Sequence, residues 1–263
     1  MTLERRYFHD LFGGEASPGS IAPFTILVND PLNVPLLSEE LEEVTPVADH
    51  YEFLVVTGRW QGVRLSVCST GIGGGSATIA IDNLVRLGVQ TLIYVDAGPS
   101  QTGQPGFWAA IGAVRQDGAS LDYAPPEFPA VADVEVLLAV QAAAQELALP
   151  LEPALLWARA GVISSERSSS IESYLANQKA ANGPYQIPLV ATPPESATIL
   201  TLGTLYRLRA GAVYAGLMDP VKSDITLRQV FLLALSSLRF LQAWDADKVR
   251  AGWKLTTPPI KMN

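Results

Sequence analysis

Short apolar segments alternate with longer amphipathic segments along this chain. The apolar runs predict buried strands at residues 24–28, 52–60, 63–68, 91–95, 108–115, 154–163, 187–191 and 211–218. Apolar side chains that recur with helical spacing predict helices at residues 74–87, 134–147, 195–208 and about 224–244, with Asp224 capping the last one. Residues 169–181 are predicted to form a polar helix or loop.

The alternation predicts an α/β fold in which helices cover both faces of a mixed central β-sheet. No internal repeat or long linker interrupts the pattern, so we expect a single domain over residues 1–263. Turn-forming residues are concentrated at 99–105 and in the tail from about 256 to 263, where we expect flexible chain.

Composition and charge exclude several classes of protein. The 263 residues are 48% hydrophobic and 17% charged, which is typical of a globular protein. The net charge is −8 and Lys and Arg do not cluster, so we expect no nucleic-acid partner and no membrane partner. Neither a signal-peptide pattern nor an apolar run of about 20 residues is found, which favours a cytoplasmic protein.

The chain has one cysteine, Cys68, which lies inside an apolar run. A single cysteine allows no disulfide within the chain. We expect a buried thiol, with a catalytic nucleophile as the alternative. We expect neither a metal ion nor a cofactor.

A glycine-rich segment, Gly71-Ile72-Gly73-Gly74-Gly75-Ser76, follows a predicted strand and begins a predicted helix. One interpretation is a dinucleotide-binding fingerprint, in which Asp96 would bind a ribose hydroxyl. Two features weaken this interpretation. Ser76 stands where the fingerprint has its third glycine, and several predicted strands precede a motif that usually opens its domain.

Four segments carry a second interpretation. They are VCSTGIGGGSATIAIDNLVRLGVQTL at 67–92, DGASLDYAPPEFPAVADVE at 117–135, ESAT at 195–198, and Arg209-Ala210-Gly211 before an apolar run. In this order they resemble the nucleoside phosphorylases, most closely the uridine phosphorylases, and the resemblance extends from about residue 24 to 241. It implies a mixed sheet that closes toward a distorted barrel, and homodimers or hexamers built of dimers. Its substrates would be a nucleoside and phosphate.

The resemblance also implies a phosphate site at the ends of two strands, and this chain departs from it. Asp30 matches the family's aspartate in the loop after the first predicted strand. Gly98 lies in the loop after the predicted strand at 91–95. Three arginines of the family correspond here to Asn33, Tyr51 and Tyr94. Two glycines and a threonine of the family correspond to Asn29, Asp96 and Ala97. Three arginines are thereby lost and one carboxylate is gained. Phosphate would then bind only through backbone amides near Gly98 and Asn29.

The resemblance places the sugar and the base on other residues. Glu195 would accept hydrogen bonds from the ribose hydroxyls, with Pro194 beneath the sugar, although a carboxylate in the first turn of a helix also stabilises the helix dipole. His9 would reach the 5′-hydroxyl of a neighbouring subunit. Asp219 would protonate a purine base, or would simply open a turn. The residues with which the family binds uracil have no match in the corresponding loop here. Arg167 or Gln178 could bind the base instead.

Three functions remain open at this stage. The first is a uridine phosphorylase-like pentosyltransferase that acts on the N-glycosidic bond of a nucleoside. The second is a hydrolase on the same scaffold, in which Asp96 or Asp30 activates water where phosphate would bind. The third is a non-catalytic binding or scaffold homologue, because fold alone does not fix function.

Overall fold

The computed structural model describes residues 16–99, 105–159, 188–192, 194–217 and 223–253. The strands are β1 Phe24–Val28, β2 Glu42–His50, β3 Phe53–Trp60, β4 Val63–Ser69, β5 Thr91–Pro99, β6 Gly106–Gln116, β7 Ala130–Val131, β8 Leu151–Arg159, β9 Leu189–Thr192 and β10 Arg209–Leu217. The helices are α1 Asn33–Ser38, α2 Gly74–Leu87, α3 Ala119–Tyr123, α4 Val134–Glu146, α5 Glu195–Leu205 and α6 Ser223–Arg250.

All ten strands belong to one sheet, in the order β2-β3-β4-β1-β5-β10-β6-β8-β9, and β7 pairs with β6. Strand β1 lies parallel to β4 and β5, and β10 lies parallel to β5. Strand β6 runs antiparallel to β10, while β8 is parallel to both β6 and β9. This arrangement confirms the predicted α/β fold with a mixed sheet.

The sheet does not close within the described residues, so the expected closure toward a barrel is wrong for this part of the chain. Its two edges are β2 and β9, which do not pair with each other. Strand β9 has only four residues, and β2 is bulged and exposed over most of its length. Edges of this kind resist pairing with another strand.

Helices pack on both faces of the sheet, which is why the central strands are buried and mostly apolar. All five residues of β1 are buried. On one face the core includes α2 and α5, with Leu92 and Tyr94 of β5. On the other face it includes α1, α4 and α6, with Ile93 and Val95 of the same strand.

Most predicted elements are found close to their predicted bounds. Helix α2 begins and ends as predicted, and Gly88 ends it with a φ of 97°. Helix α6 extends to Arg250, beyond the predicted end. Asp224 is the second residue of this helix and not the residue before it, where it was predicted. The predictions for 160–163, 169–181, 100–104 and the tail lie outside the described residues.

Strand β2 and helix α1 were not predicted. Strand β2 is mostly exposed and begins with Glu42 and Glu43, so it has no apolar face to produce an alternating pattern. Helix α1 has only six residues and contains Pro35. Both elements are fixed by tertiary packing rather than by a local pattern.

The first residue of α2, Gly74, lies where no side chain fits. A Cβ atom there would lie 2.5 Å from Thr198 Oγ1 and 2.9 Å from Ala119 Cβ. The Thr198 hydroxyl is held in place because it donates a 2.6 Å hydrogen bond to buried Asp117. We therefore expect Gly74→Ala to lower the free energy of unfolding by about 1–3 kcal/mol, measured by urea denaturation.

The neighbouring Gly75 provides the matched control. A Cβ atom at Gly75 would meet no atom within 4 Å, and its backbone does not require glycine. Gly75→Ala should therefore raise the free energy of unfolding by about 0.4–1 kcal/mol. Equal stability of the two variants would contradict the packing role of Gly74.

Candidate functional site

A cleft of about 520 Å³ lies beyond the carboxyl ends of parallel strands β1 and β5. This is the edge of an α/β sheet at which ligands usually bind. The residues that line it are Asn29, Asp30, Leu32, Asn33, Leu36, Ile72, Asp96, Ala97 and Leu227. The structure thus brings together five positions of the predicted phosphate site, Asn29, Asp30, Asn33, Asp96 and Ala97.

These lining residues include two carboxylates and no Lys, Arg or His. Arg228, the residue after Leu227, is paired with acids of its own chain. Its Nη2 lies 2.5 Å from Glu39 Oε2, and its Nη1 lies 3.1 Å from Glu40 Oε1. The Asp30 carboxylate accepts a 2.9 Å hydrogen bond from the Leu32 amide and so stabilises the turn after β1. Among the described lining residues, the charge is therefore unfavourable for an anion.

Asp96 is the more deeply buried of the two carboxylates, with an exposed fraction of 6%. Its Oδ1 accepts a 2.9 Å hydrogen bond from the Ala97 amide. Burial raises the pKa of Asp96 to about 7, and the Glu195 carboxylate contributes to the rise. The Ala97 amide and the Tyr94 hydroxyl lower the pKa. A carboxyl group in this state exchanges a proton near neutral pH, as a general base requires.

Glu195 begins α5 and is fully buried. Its Oε1 accepts a hydrogen bond from the Gly73 amide at the start of α2. Burial raises the pKa of Glu195, while backbone amides, that of Gly73 first, and the nearby Tyr94 hydroxyl oppose the rise. The glycine-rich segment therefore directs an amide to a carboxylate of its own chain. Pro194 precedes Glu195 as the residue before the helix.

Two buried polar atoms in this region have no hydrogen-bond partner within the part of the chain that the structure describes. They are the Tyr94 hydroxyl and Glu195 Oε2. Tyr94 has an exposed fraction of 1% and lies behind the cleft rather than on its lining. Burial raises the pKa of Tyr94 well above its ordinary value, and the Asp96 and Glu195 carboxylates raise it further. Unpaired buried groups are costly, so they mark a position for water or a ligand hydroxyl.

Tyr214 belongs to the same cluster and was missed by sequence reasoning. It is paired with Asp96 in the register of β5 and β10. A Cβ atom on Gly98 would lie 2.7 Å from the Tyr214 hydroxyl, so Gly98 allows this tyrosine to approach β5. Burial, followed by the Asp96 carboxylate, raises the pKa of Tyr214. The pairing of β5 with β10 crosses more than one hundred residues, and no local pattern reveals it.

Two other residues considered from the sequence, Cys68 and Ser76, do not line the cleft. Cys68 is fully buried, and burial raises the pKa of its thiol, so it does not act as a nucleophile here. Ser76 donates a 2.6 Å hydrogen bond to Glu52 instead of standing open toward a pyrophosphate. His9, Asp219, Arg167 and Gln178 lie outside the described residues. No group of three or more His, Cys, Asp or Glu in the described part of the chain could hold a metal ion.

The buried Asp96 should make the protein less stable at alkaline pH. Its pKa is about 7 in the folded chain and about 4 when unfolded, so the folded state holds the extra proton between these pH values. The free energy of unfolding should therefore fall as the pH rises from about 4 to about 7, by about 1.4 kcal/mol per unit of pKa shift.

Asp96→Asn removes this titration, since an amide binds no proton in this range. We expect the variant to be more stable than the wild type at about pH 8, with a smaller difference at about pH 5. Thermal unfolding of both proteins across this range measures the difference. A stability difference that does not change with pH would contradict a raised pKa for Asp96.

The fold is that of an α/β protein with a cleft at the carboxyl edge of its sheet. A sequence model of the phosphorylase superfamily matches residues 23–225. The chain therefore belongs to the phosphorylase superfamily, and the resemblance inferred from its sequence segments is confirmed.

Individual relatives agree with this assignment. The chain is 33% identical over 254 residues to the uridine phosphorylase of Thermococcus kodakarensis, covering 93% of this chain and 91% of the relative. It is 31% identical over 219 residues to the uridine phosphorylase of Escherichia coli K12, covering 78% and 83%. It is 30% identical over 200 residues to the guanosine phosphorylase of Halorubrum lacusprofundi, covering 74% and 78%.

The fold matches a crystal structure of uridine phosphorylase from Vibrio fischeri ES114 with a TM-score of 0.74 at 22% identity. The match covers 86% of this chain and 95% of that one. No helix in the described ranges is long and apolar enough to cross a membrane.

Proposed function

We propose that this protein binds a nucleoside and cleaves its N-glycosidic bond. The observation that carries the proposal is the position of Glu195. It lies in the ESAT segment, one oxygen is held by the Gly73 amide, and Oε2 has no partner among the described residues. A carboxylate oxygen held in this way is suited to accept a hydrogen bond from a sugar hydroxyl. Similarity to uridine and guanosine phosphorylases supports the same substrate class.

The group that attacks the anomeric carbon is either water or phosphate. The charge of the described cleft lining favours water. Asp30 and Asp96 line the cleft without a cationic side chain among the lining residues. One charge pair at 4 Å is worth about 4 kcal/mol at an effective dielectric constant of 20. Two carboxylates should therefore weaken the binding of a phosphate dianion substantially.

In the hydrolytic route, the Asp96 carboxylate takes a proton from a water molecule as the water oxygen bonds to the anomeric carbon. The C–N bond breaks at the same time, and its electron pair leaves with the base, which takes up a proton. The pKa of Asp96, about 7, suits this proton transfer at neutral pH. Asp30 is the alternative base, and Asp219 is our proposed proton donor for a purine.

A phosphorolytic route remains the second candidate because uridine phosphorylases are the relatives that this chain resembles. Phosphate would then bind through backbone amides near Asn29 and Gly98. It would attack the anomeric carbon with its oxygen and yield a pentose phosphate. In this route the protein is a pentosyltransferase and Asp96 must be protonated, which neutralises its charge.

Chromatographic measurement of base release from uridine and a small nucleoside panel, with and without phosphate, separates the routes. Release that is independent of phosphate supports hydrolysis. Release that requires phosphate supports phosphorolysis and rejects the proposed role of water. No release under either condition contradicts cleavage altogether and favours a non-catalytic binding homologue.

We further propose that the protein is a single-domain cytoplasmic homodimer, or a hexamer of such dimers, in which His9 reaches a neighbouring site. Tyr51 is available for a subunit contact because it lies exposed in the turn between β2 and β3. Light scattering coupled to size-exclusion chromatography tests the assembly. A monomer at micromolar concentration would contradict it.

A further inference from the structure

Two arginines lie side by side at the other end of β4 from the strand-end cleft. Arg59 of β3 and Arg64 of β4 are direct partners in the antiparallel register. Like charges that face each other across strands destabilise a sheet, so such a pair calls for a compensating anion. Arg64 lies about 17 Å along β4 from Ser69, at about 3.3 Å per residue, and so lies well away from the cleft.

The two arginines line a separate cavity of about 390 Å³. The other lining residues are Ser20, Glu43, Thr45, Pro46, Val47, Thr57 and Gly58. Strand β2 forms part of the wall, and its register with β3 shifts twice in this region, between Glu42 and Thr45 and again between Pro46 and Ala48. Bulges of this kind redirect side chains and open a sheet edge locally.

The positive charge in this cavity exceeds the negative charge. Arg59 Nε lies 3.0 Å from Glu43 Oε2, which is the one carboxylate among the lining residues. Arg64 donates only to backbone carbonyls among the described residues, the shortest bond being 2.8 Å to Gly19. The lining therefore has one more cation than anion, in a chain whose net charge is −8.

Hydrogen-bond donors also remain unused. A guanidinium group has five N–H donors. Arg59 Nη2 and Arg64 Nε donate no hydrogen bond to any of the described residues. An oxyanion in the cavity would accept from both arginines at once.

Glu43 has a strained backbone that holds it beside Arg59. Its φ is 52°, in the left-handed region that residues other than glycine rarely adopt. Its side chain is 74% exposed, so the ion pair with Arg59 is weak. A ligand oxyanion can therefore displace the Glu43 carboxylate from Arg59 at little cost.

We propose that this cavity is a second ligand site, which binds a phosphate group. The group is either inorganic phosphate or the phosphate of a small phosphorylated metabolite. Arginine recognises tetrahedral oxyanions through paired charge-assisted hydrogen bonds, and two facing guanidinium groups suit this geometry. The proposal does not depend on the reaction in the strand-end cleft.

Isothermal titration calorimetry with inorganic phosphate and with ribose 5-phosphate tests the site. The wild type should bind inorganic phosphate, and Arg59→Gln should weaken binding about tenfold, because a charge-assisted hydrogen bond is lost. Glu43→Gln should instead tighten binding severalfold, since it removes the competing carboxylate. If Arg59 had only a structural role, Glu43→Gln would not tighten phosphate binding. Tighter binding of ribose 5-phosphate identifies a metabolite as the ligand, and equal binding identifies free phosphate.

Asn33→Ala, which changes the strand-end cleft, is the control and should leave phosphate binding unchanged. Absence of binding to the wild type overturns the proposal, as does equal affinity of the wild type and Arg59→Gln. Loss of binding in Asn33→Ala alone would place phosphate in the cleft. That result also overturns the proposal, and it would favour phosphorolysis over hydrolysis in the cleft.

Discussion

Asp96→Asn is expected to lower the rate of phosphate-independent base release by about a hundred- to ten-thousand-fold, the usual contribution of a general base. An amide keeps the size of the side chain but cannot take a proton from water. The Asp96 carboxyl lines the cleft and has a pKa of about 7. Chromatography of the released base under saturating nucleoside measures the effect on kcat.

Asp30→Asn is the matched control, because Asp30 lines the same cleft and its carboxylate is engaged by the Leu32 amide. We expect a much smaller loss of rate in this variant. The reverse order of the two effects would identify Asp30 as the base. Unchanged release in Asp96→Asn, with an intact circular dichroism spectrum, would reject the hydrolytic role of Asp96.

Arg209→Met is expected to lower the free energy of unfolding by about 1.5–3 kcal/mol, because the largely buried Asp245 loses its charge-assisted hydrogen bonds and, among the described residues, keeps only Lys248, at 3.6 Å. Arg209 and Asp245 have exposed side-chain fractions of only 13% and 15%. The two residues form a bidentate pair, with bonds of 2.8 and 2.7 Å, that ties α6 to the start of β10. Arg209 also lies 3.2 Å from Glu135, which joins α4 to the same cluster.

Arg239→Met is the control for this prediction. Arg239 also forms an ion pair between helices, with Glu146, but both side chains are substantially exposed. Exposed pairs contribute about 0–1 kcal/mol, so this variant should unfold close to the wild type in urea. If the two arginine variants have equal stability, burial of the Arg209 cluster does not stabilise the fold.

The sequence predicts the sheet and its covering helices well because burial on both faces leaves continuous apolar strands. The bounds of β1 and α2 follow directly from such patterns, whereas exposed β2 lacks one. The strand ends also place Asn29 and Asp96 correctly at one edge. Side-chain partners are harder to predict, because they depend on tertiary packing.

Tyr94 and Glu195 illustrate this limit. The resemblance places Tyr94 at the phosphate site, but its side chain packs in the core with Leu92, two residues before Asp96 on the same face of β5. Glu195 meets the Gly73 amide across more than one hundred residues, because α2 and α5 pack on the same face of the sheet. Neither contact has a local signal in the chain.

The position of β10 in the sheet has a consequence for synthesis of the protein on the ribosome. Of the strands in the described ranges, this one is translated last, yet it lies inside the sheet between β5 and β6. Until Arg209–Leu217 has emerged from the exit tunnel, both neighbours present open edges that can pair with other nascent chains. We therefore expect the sheet to be completed late in synthesis, and we expect a chain that stops before this strand to aggregate.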